Sequence, residues 1–156
     1  MNTSAKASRE YLKSAVMTAS PEQLQLMLLD GAIRFAERGK DAVQRNDIEA
    51  AFNAFERAQR IVLELSNGLR REACPELVDR MTALYDFVYR RLIDANLHRE
   101  LKAADDALGI LRHQRETWAM LVEKVARTVP AGATPAPAGA VSAPTDSGEA
   151  SLSLEG

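Results

Sequence analysis

The sequence predicts an all-α protein, an antiparallel up-and-down four-helix bundle with an N-terminal arm and a disordered C-terminal tail. Four segments repeat apolar residues at three- and four-residue steps, and short breaks containing polar residues or proline separate them. No run alternates apolar with polar residues as a strand does, and helices joined by short connections favour antiparallel packing. At 156 residues and 46% apolar composition, the chain can bury a core as one domain. We expect the arm over residues 1–20, the bundle over 21–129 and the tail over 130–156.

The start of the first helix is sharply marked, which separates the arm from the bundle. Ser20 suits the N-cap position, Pro21 suits the first helical position, and Gln23 completes a capping box. The arm therefore carries Tyr11 and Val16 outside that helix. Apolar groups of this kind need a surface to dock on, so the arm either seals its own bundle or covers a groove meant for another chain.

The first helix runs to a break at Asn46 and Asp47 and carries two apolar stripes. The stripe that we expect to face the core contains Leu24, Met27, Leu28, Gly31, Phe35 and Ala42. A second stripe, offset from the first, contains Leu26, Leu29, Ile33 and Ala36. Because a bundle helix needs only one inward face, we expect the second stripe to be exposed until a partner covers it.

Each of the other three helices carries one apolar stripe that we expect to face the core. The second helix is predicted from about Ile48 to Leu69, with Asn46 and Glu49 forming a capping box. Its stripe contains Ile48, Ala51, Phe52, Phe55, Val62, Leu65 and Leu69. The third stripe, after Pro75, contains Leu77, Met81, Leu84, Val88, Leu92 and Ala95. The fourth contains Leu101, Ala104, Leu108, Leu111, Arg115, Trp118, Val122, Val125 and Val129.

Aromatic and basic residues lie in phase beside the core stripe of the third helix. They are Tyr85, Tyr89, Arg90, Arg91, Ile93 and Asn96. Tyr and Arg are favoured at interaction surfaces, since each combines a large contact area with a directed polar group. The alternative is that the tyrosines are half-buried at a helix seam and that Asp86 and Arg90 form an ordinary surface ion pair. Together with the second stripe and Tyr11, these residues favour an apolar groove that binds a partner.

The sequence carries no catalytic motif, so we expect neither an enzyme nor a cofactor or metal site. A carboxylate metal bundle needs Glu-x-x-His units, but Ala95 precedes His98 by three residues and Ile110 precedes His113. No glycine-rich phosphate loop and no paired nucleophile are present. One alternative is that His113 accepts phosphate, as in histidine phosphotransfer domains, although a histidine beside basic residues is usually only solvated.

Charge and cysteine content exclude further classes of protein. The formal net charge is −2, and residues 130–156 hold three acids and no base, so no clustered basic surface indicates nucleic-acid binding. No apolar run suits a membrane span or a secretory leader, so we expect a cytoplasmic protein without stable membrane insertion. The single cysteine, Cys74, excludes an intrachain disulfide.

The composition changes at Pro130 to Ala, Pro, Gly, Ser and Thr, with four of the six prolines of the chain. Such a segment buries too little apolar area to offset its ordering entropy, so we expect a disordered, solubilising tail. The alternative is that Ser151 to Leu154 acts as a short docking peptide.

Three blocks of sequence resemble the flagellar secretion chaperone FliS family. They are Tyr11 with Val16-Met17-Thr18-Ala19-Ser20-Pro21-Glu22-Gln23-Leu24, the block Leu26-Met27-Leu28-Leu29-Asp30-Gly31-Ala32-Ile33, and Leu84-Tyr85-Asp86-Phe87-Val88-Tyr89-Arg90-Arg91-Leu92 followed by Ala95-Asn96. Trp118 also fits, and the resemblance covers residues 11–125 in the expected order. Leu29 is a departure, since the family often carries Tyr before Asp-Gly, and the tail has no counterpart.

The resemblance implies a non-enzymatic cytosolic chaperone that binds the C-terminal region of flagellin, prevents early polymerisation and aids delivery to the flagellar type III export apparatus. Export gate components are the further partners expected, and weak self-association of the empty protein is a further expectation. From helical phase, we expect the bound protein to contact Tyr11, Val16, Leu26, Leu29, Ile33, Tyr85, Tyr89, Arg90, Arg91 and Asn96. In this arrangement Tyr11 and Val16 form a movable cover over the groove. An adaptor for a folded signalling protein would use the same groove and is the second hypothesis.

Overall fold

The computed structural model describes residues 2–72 and 74–128, and these form five α-helices with no strand among them. The helices are α1 (Asn2–Thr18), α2 (Pro21–Gln44), α3 (Ile48–Asn67), α4 (Pro75–His98) and α5 (Leu101–Thr128). Helices α2 to α5 each pack against the next in the chain, and α5 packs back against α2, which closes a four-helix bundle. The predicted all-α class is confirmed. The tail predicted over 130–156 lies outside the described residues.

Ion pairs between α2 and α5 show that these two helices run antiparallel. Asp30 pairs with Arg115 at 2.6 Å, Glu37 with Arg112 at 2.7 Å, and Lys40 with Asp105 at 2.6 Å. Residue numbers rise along α2 as they fall along α5. Each pair is partly exposed, so it adds little to stability, but the series marks the register of the two helices.

The predicted start of α2 is confirmed, but the arm before it is itself a helix. The Gln23 backbone N–H donates to Ser20 Oγ at 3.2 Å, and the Ser20 N–H donates to Gln23 Oε1 at 2.9 Å. Pro21 is the first residue of α2. Before this cap, residues 2–18 form α1, in which eight of 17 residues are Ala, Lys, Arg, Glu or Leu, all of which favour helix. Helix α1 ends at Thr18, and Ala19 and Ser20 connect it to α2.

The cap of α3 is Asp47 and not the predicted Asn46. Asp47 Oδ1 accepts a hydrogen bond from the Ala50 N–H at 3.1 Å. Asn46 has a φ of 56°, a left-handed conformation that Asn tolerates in tight turns. It therefore belongs to the turn between α2 and α3 and does not cap α3. The third break occurs as predicted, since Pro75 begins α4 directly after Cys74, which is exposed.

The core face of α2 lies between the two predicted stripes. The buried residues of α2 are Leu29, Gly31, Ala32, Ala36, Gly39 and Ala42. Leu29 and Ala36 are both 0% exposed, so the expectation that the second stripe is free for a partner is wrong for them. The reason is that small residues form the central line that faces the neighbouring helices. Larger side chains on either flank, such as Phe35 and Ile33, are only partly buried.

Several other residues that were expected in the core are exposed. Ile48 and Leu77 are 57% and 56% exposed because they lie in the first turns of α3 and α4, at the ends of the bundle. Phe52 is 51% exposed because it lies to one side of the buried line through Ala51 and Phe55, about 100° around the helix from Ala51 and 60° from Phe55. Arg115 is also exposed, where its guanidinium reaches the Asp30 carboxylate of α2.

A few large side chains and many alanines make up the core. The largest fully buried side chains are Tyr85, Phe55, Leu29, Leu65, Leu92, Leu108, Leu111, Val62 and Val88. The buried alanines are Ala32, Ala36, Ala42, Ala51, Ala54, Ala58, Ala95, Ala103, Ala104 and Ala107. Because alanine is short, these positions allow the helix backbones to approach closely.

Gly39 is expected to be intolerant of even one methyl group. A Cβ built on Gly39 would lie 2.7 Å from the ring carbons Cδ1 and Cε1 of Phe55, which is fully buried. We expect Gly39→Ala to lower the free energy of unfolding by about 1–3 kcal/mol through overpacking, despite the better helix propensity of alanine. Gly109 of α5 is the matched control, since nothing lies within 4 Å of its Cβ position. Gly109→Ala should raise stability by up to about 1 kcal/mol in the same urea titration. A Gly39→Ala protein as stable as the parent would contradict this close contact.

Candidate partner-binding surface

A groove of about 390 Å³ lies where the end of α1 meets the bundle, and we call it the α1 groove. Its lining residues are Ala15, Thr18, Ala19, Gln23, Leu26, Met27, Asp30 and Val122. Leu26, Met27 and Val122 are half-buried, so their apolar surface is only partly covered. The carboxylate of Asp30 at the rim is held by Arg115.

The α1 groove continues along the last turns of α5. Gln23 and Val122 also line a smaller depression of about 90 Å³, together with Val125 and Ala126. Apolar side chains on this side of α5 remain exposed, with Leu121 at 40% and Val125, one turn later, at 36%. Isolated exposed apolar residues are normal, but a contiguous set beside a groove marks an interaction site.

A second apolar concavity, which we call the α4-entry pocket, lies at the same end of the bundle. It has a volume of about 260 Å³ and is lined by Gln25, Gly68, Leu69, Arg70, Cys74, Leu77, Val78, Met81 and Trp118. Gln25 is the chain neighbour of Leu26 in the α1 groove, so the two concavities lie on adjacent faces of the start of α2. They are therefore two separate apolar concavities at one end of the bundle.

The structure places only some of the predicted contact residues on this surface. Leu26 lines the α1 groove, as the prediction requires. Ile33 is half-buried and packs against the core. Leu29, at 0% exposure, has no surface to offer a partner, and the prediction of a contact there is wrong. It belongs to the inward line of α2, one turn before Ala32 and two turns before Ala36.

Tyr85 is a core residue and not the predicted groove wall. Only 1% of its surface is exposed, and its hydroxyl makes no hydrogen bond of normal geometry with the described residues. Burial raises the pKa of the Tyr85 phenol, and the side chain of Gln25 offsets only part of that shift. Tyr85 faces inward because it continues the buried line through Val88 and Leu92 at three- and four-residue steps. Tyr89 lies beside that line and is half-buried.

The two arginines of α4 differ in what they can offer a partner. Arg90 is exposed, and its Nε donates to the backbone oxygen of Asp86 at 3.3 Å. Arg91 is already paired within the protein, at 3.1 Å with Asp94 and 2.9 Å with Asp106. The pKa of the Asp106 carboxyl is lowered because Lys102 and then Arg91 donate hydrogen bonds to it. Arg91 therefore joins α4 to α5. That it also contacts a bound protein stays a prediction.

Asn96 lies at the opposite end of the bundle from the α1 groove. It is half-buried and lines a small depression with Val43, Ile48, Ala51 and Arg99, beside the α2–α3 turn. Asn96 and Leu26 were predicted to contact one partner, but the length of the bundle separates them.

The arm does not cover the groove with the residues that were expected to do so. Tyr11 is 79% exposed and Val16 is 42% exposed, whereas Ala15, Thr18 and Ala19 line the α1 groove. The expected cover by Tyr11 and Val16 is therefore corrected, because α1 directs its small residues toward the groove and its aromatic residue toward solvent.

Some residues of the surface were not predicted to lie on it. Met27, Trp118, Val122 and Leu77 were expected at ordinary core positions, and Leu121 was not expected at any site. The one available signal was that apolar residues continue on α5 past Trp118, toward the end of the helix.

His113 is exposed on α5, and the two arginines beside it are engaged elsewhere. Arg112 pairs with Glu37 and Arg115 pairs with Asp30, so neither is free to hold a phosphate on the imidazole. Among residues 2–72 and 74–128, no three His, Cys, Asp or Glu side chains converge on a metal position. No helix in this part of the chain is long and apolar enough to cross a membrane.

The fold and the surface together define a class, a small helical-bundle binding protein with apolar concavities at one end. Comparison with known proteins makes the assignment specific. The profile of the family described as "Flagellar protein FliS" matches residues 3–125. The chain therefore belongs to the FliS family of flagellar secretion chaperones, as the sequence resemblance indicated.

Individual relatives agree with this assignment. The flagellar secretion chaperone FliS of Salmonella typhimurium is 34% identical over 116 residues, which cover 74% of this chain and 86% of the relative. The protein of the same description from Bacillus subtilis is 32% identical over 113 residues, 72% of this chain and 84% of the relative. A solved structure described as a flagellar chaperone from bacteria has a TM-score of 0.63 at 19% identity, covering 78% of this chain and 98% of its own, which shows a shared fold. None of these matches gives support to phosphotransfer through His113.

Proposed function

We propose that this protein binds the disordered C-terminal region of flagellin in the cytosol, prevents its early polymerisation and aids its delivery to the flagellar export apparatus. The observation that carries the proposal is the α1 groove, an open apolar concavity on a rigid bundle in a chain of the FliS family. Binding of this kind needs no cofactor and no catalytic group. Export gate components remain the further partners that the proposal includes.

The geometry suits a segment that folds as it binds. An amphipathic helix of the client, the bound flagellin segment, can place one apolar anchor between Leu26 and Val122 and another in the α4-entry pocket. Each buried anchor contributes about 1.5–3 kcal/mol, while ordering the client costs about 2–5 kcal/mol in all. Two or three anchors therefore suffice for binding that is specific and still reversible.

We propose that α1 is a movable wall of the same site. Its Ala15, Thr18 and Ala19 border the groove, while Tyr11 and Val16 are exposed and free to contact a client that lies against α1. Exposed apolar side chains on α1 also account for the proposed weak self-association of the empty chain. Ile33, Tyr89 and Arg90 remain candidates for contacts along the flanks of the bundle.

The test is direct binding of a fluorescently labelled peptide from the C-terminal region of flagellin, followed by anisotropy. We expect saturable binding to the full chain, with a peptide of the same composition in scrambled order as the control. No binding of the C-terminal peptide would overturn the proposal. If the chain instead captures a folded signalling protein and not the flagellin peptide, the adaptor hypothesis is correct.

Deleting residues 1–18 is expected to change how fast the client binds. Because the end of α1 borders the groove, its removal leaves Leu26 and Val122 more accessible, and client association should become faster. Stopped-flow mixing with the labelled peptide measures the rate, and binding of an apolar dye to the empty protein should rise in parallel. Tyr11→Ala is the informative control, since Tyr11 does not line the groove and its loss should leave dye binding unchanged. A slower association after deletion would show instead that α1 supplies client contacts from the first encounter.

A further inference from the structure

A cleft between α2 and α3 concentrates positive charge around one aromatic ring. The guanidinium carbons of Arg34, Arg38 and Arg57 lie 5.7, 5.5 and 5.4 Å from the centroid of the Phe35 ring. The cleft has a volume of about 260 Å³, and Phe35, Arg38 and Arg57 line it directly. We call this cleft with its three arginines the arginine groove.

The three arginines are unpaired within the part of the chain that the structure describes. Two neighbouring arginines are paired: Arg45, which lines the cleft together with Asp41, pairs with that carboxylate at 2.9 Å, and Arg60 pairs with Glu56 at 2.6 Å. Arg34, Arg38 and Arg57 make no ion pair with residues 2–72 or 74–128. Three like charges around one ring repel one another, and cation–π attraction at an exposed site offsets this only in part. The groove therefore has the charge to attract an acidic segment.

The arginine groove is separate from the proposed client surface. Phe35 follows Leu26 by nine residues on α2, which is about 13 Å along the helix. The arginine groove lies between α2 and α3, whereas the α1 groove lies between α1, α2 and α5. What binds there is independent of what binds in the α1 groove, and the inference below goes beyond the proposed function.

We propose that the acidic end of this same chain, residues 146–155, docks in the arginine groove. The segment holds Asp146, Glu149 and Glu155, and residues 130–156 contain no Lys or Arg to compete for them. Three carboxylates thus meet the three guanidinium groups that are without an ion pair among residues 2–72 and 74–128. Leu152 and Leu154 lie between the last two acids and supply the apolar contact that the Phe35 ring offers.

The length of chain after α5 is sufficient for this contact. Because Glu37 pairs with Arg112, Phe35 is level with that part of α5, about 25 Å along the bundle from Thr128. The chain from Thr128 to Asp146 spans up to about 60 Å when extended, enough to pass around the side of α2 as well. A tether of this length also keeps the acidic segment at a high effective concentration beside the groove.

The test uses the full chain with a spin label on the acidic segment. Ser151→Cys, in a Cys74→Ser background, carries the label, and paramagnetic broadening is measured on the backbone amides of α2 and α3. We expect broadening around Phe35 and Arg57 and none at the start of α4. Charge neutralisation in the segment by Asp146→Asn, Glu149→Gln and Glu155→Gln should lower the ratio of docked to free segment by about tenfold. High salt should have the same effect, since exposed pairs are screened.

A matched pair of arginine variants separates specific docking from general charge. Arg34→Gln with Arg38→Gln and Arg57→Gln should remove the broadening. The control, Arg9→Gln with Arg71→Gln and Arg80→Gln, changes exposed residues outside the cleft, lowers the net charge equally and should leave the broadening. The proposal would be overturned if both variants lost the broadening to the same extent, or if the broadening appeared at the α1 groove. Broadening that appears only between labelled and unlabelled molecules would show that the occupant is the end of a second copy, and would also overturn it. If the arginine variant fails to fold by circular dichroism, the charge-neutralised segment still decides the question.

Discussion

Replacing Leu29 by aspartate is expected to unfold the bundle. Leu29 is 0% exposed on α2 and belongs to the hydrophobic core, so the substitution removes a buried leucine and places a carboxylate among apolar groups. Loss of a buried leucine costs about 2–5 kcal/mol, and an unpaired buried charge adds to that cost. A drop of more than about 4 kcal/mol in the free energy of unfolding is a large part of the stability of an ordinary domain. Urea titration followed by circular dichroism measures it.

Leu63→Asp is the matched control for this substitution. Leu63 is 45% exposed on α3, outside the concavities described above, so the same change of chemistry there should leave the fold intact. A folded Leu29→Asp protein would mean that the second stripe of α2 is exposed after all, and that the original groove prediction was right at this position.

Placing a charge on both walls of the α1 groove is expected to have the second large effect, a loss of affinity for the client. Leu26→Asp with Val122→Asp places carboxylates on α2 and α5 facing the proposed anchor. Each lost apolar contact is worth about 1.5–3 kcal/mol, so affinity for the flagellin peptide should fall by about a hundredfold or more. Both residues are half-buried, so we expect the bundle to remain folded.

Anisotropy with the labelled flagellin peptide measures this loss, with Leu63→Asp again as the control that should bind normally. Unchanged affinity in a folded double variant would place the client elsewhere on the bundle. The α4-entry pocket would then be the next site to test, through Leu77→Asp, since Leu77 is largely exposed.

Local features of the sequence predicted the fold well. The Ser20, Pro21 and Gln23 capping box depends only on neighbouring residues, and it fixed the start of α2 correctly. Helix order and the all-α class likewise follow from periodicity and short connections. The cap of α3 was misassigned by one residue because Asn46 and Asp47 both suit a cap, and only the backbone conformation of the turn decides between them.

Features that depend on how helices meet were harder to predict. The inward line of α2 runs through Ala32, Ala36 and Gly39, and periodicity judged by large apolar side chains gives these little weight. That is why Leu29 was assigned to a free surface. The α1 groove depends on α1, α2 and α5 meeting at Val122, a contact between distant parts of the chain that no local pattern reports.

The many alanines of the core bear on how this protein can change shape. Alanine has no side-chain rotamers, so a core built largely from it has few alternative packings to adopt when a partner binds. The bundle should behave as a stiff body, and adaptation to different partners falls to the terminal segments and to the partner itself. Such an interior also constrains evolution, because a larger residue at any of these positions pushes two backbones apart. Sequence change is therefore expected to be easiest at the ends of the helices.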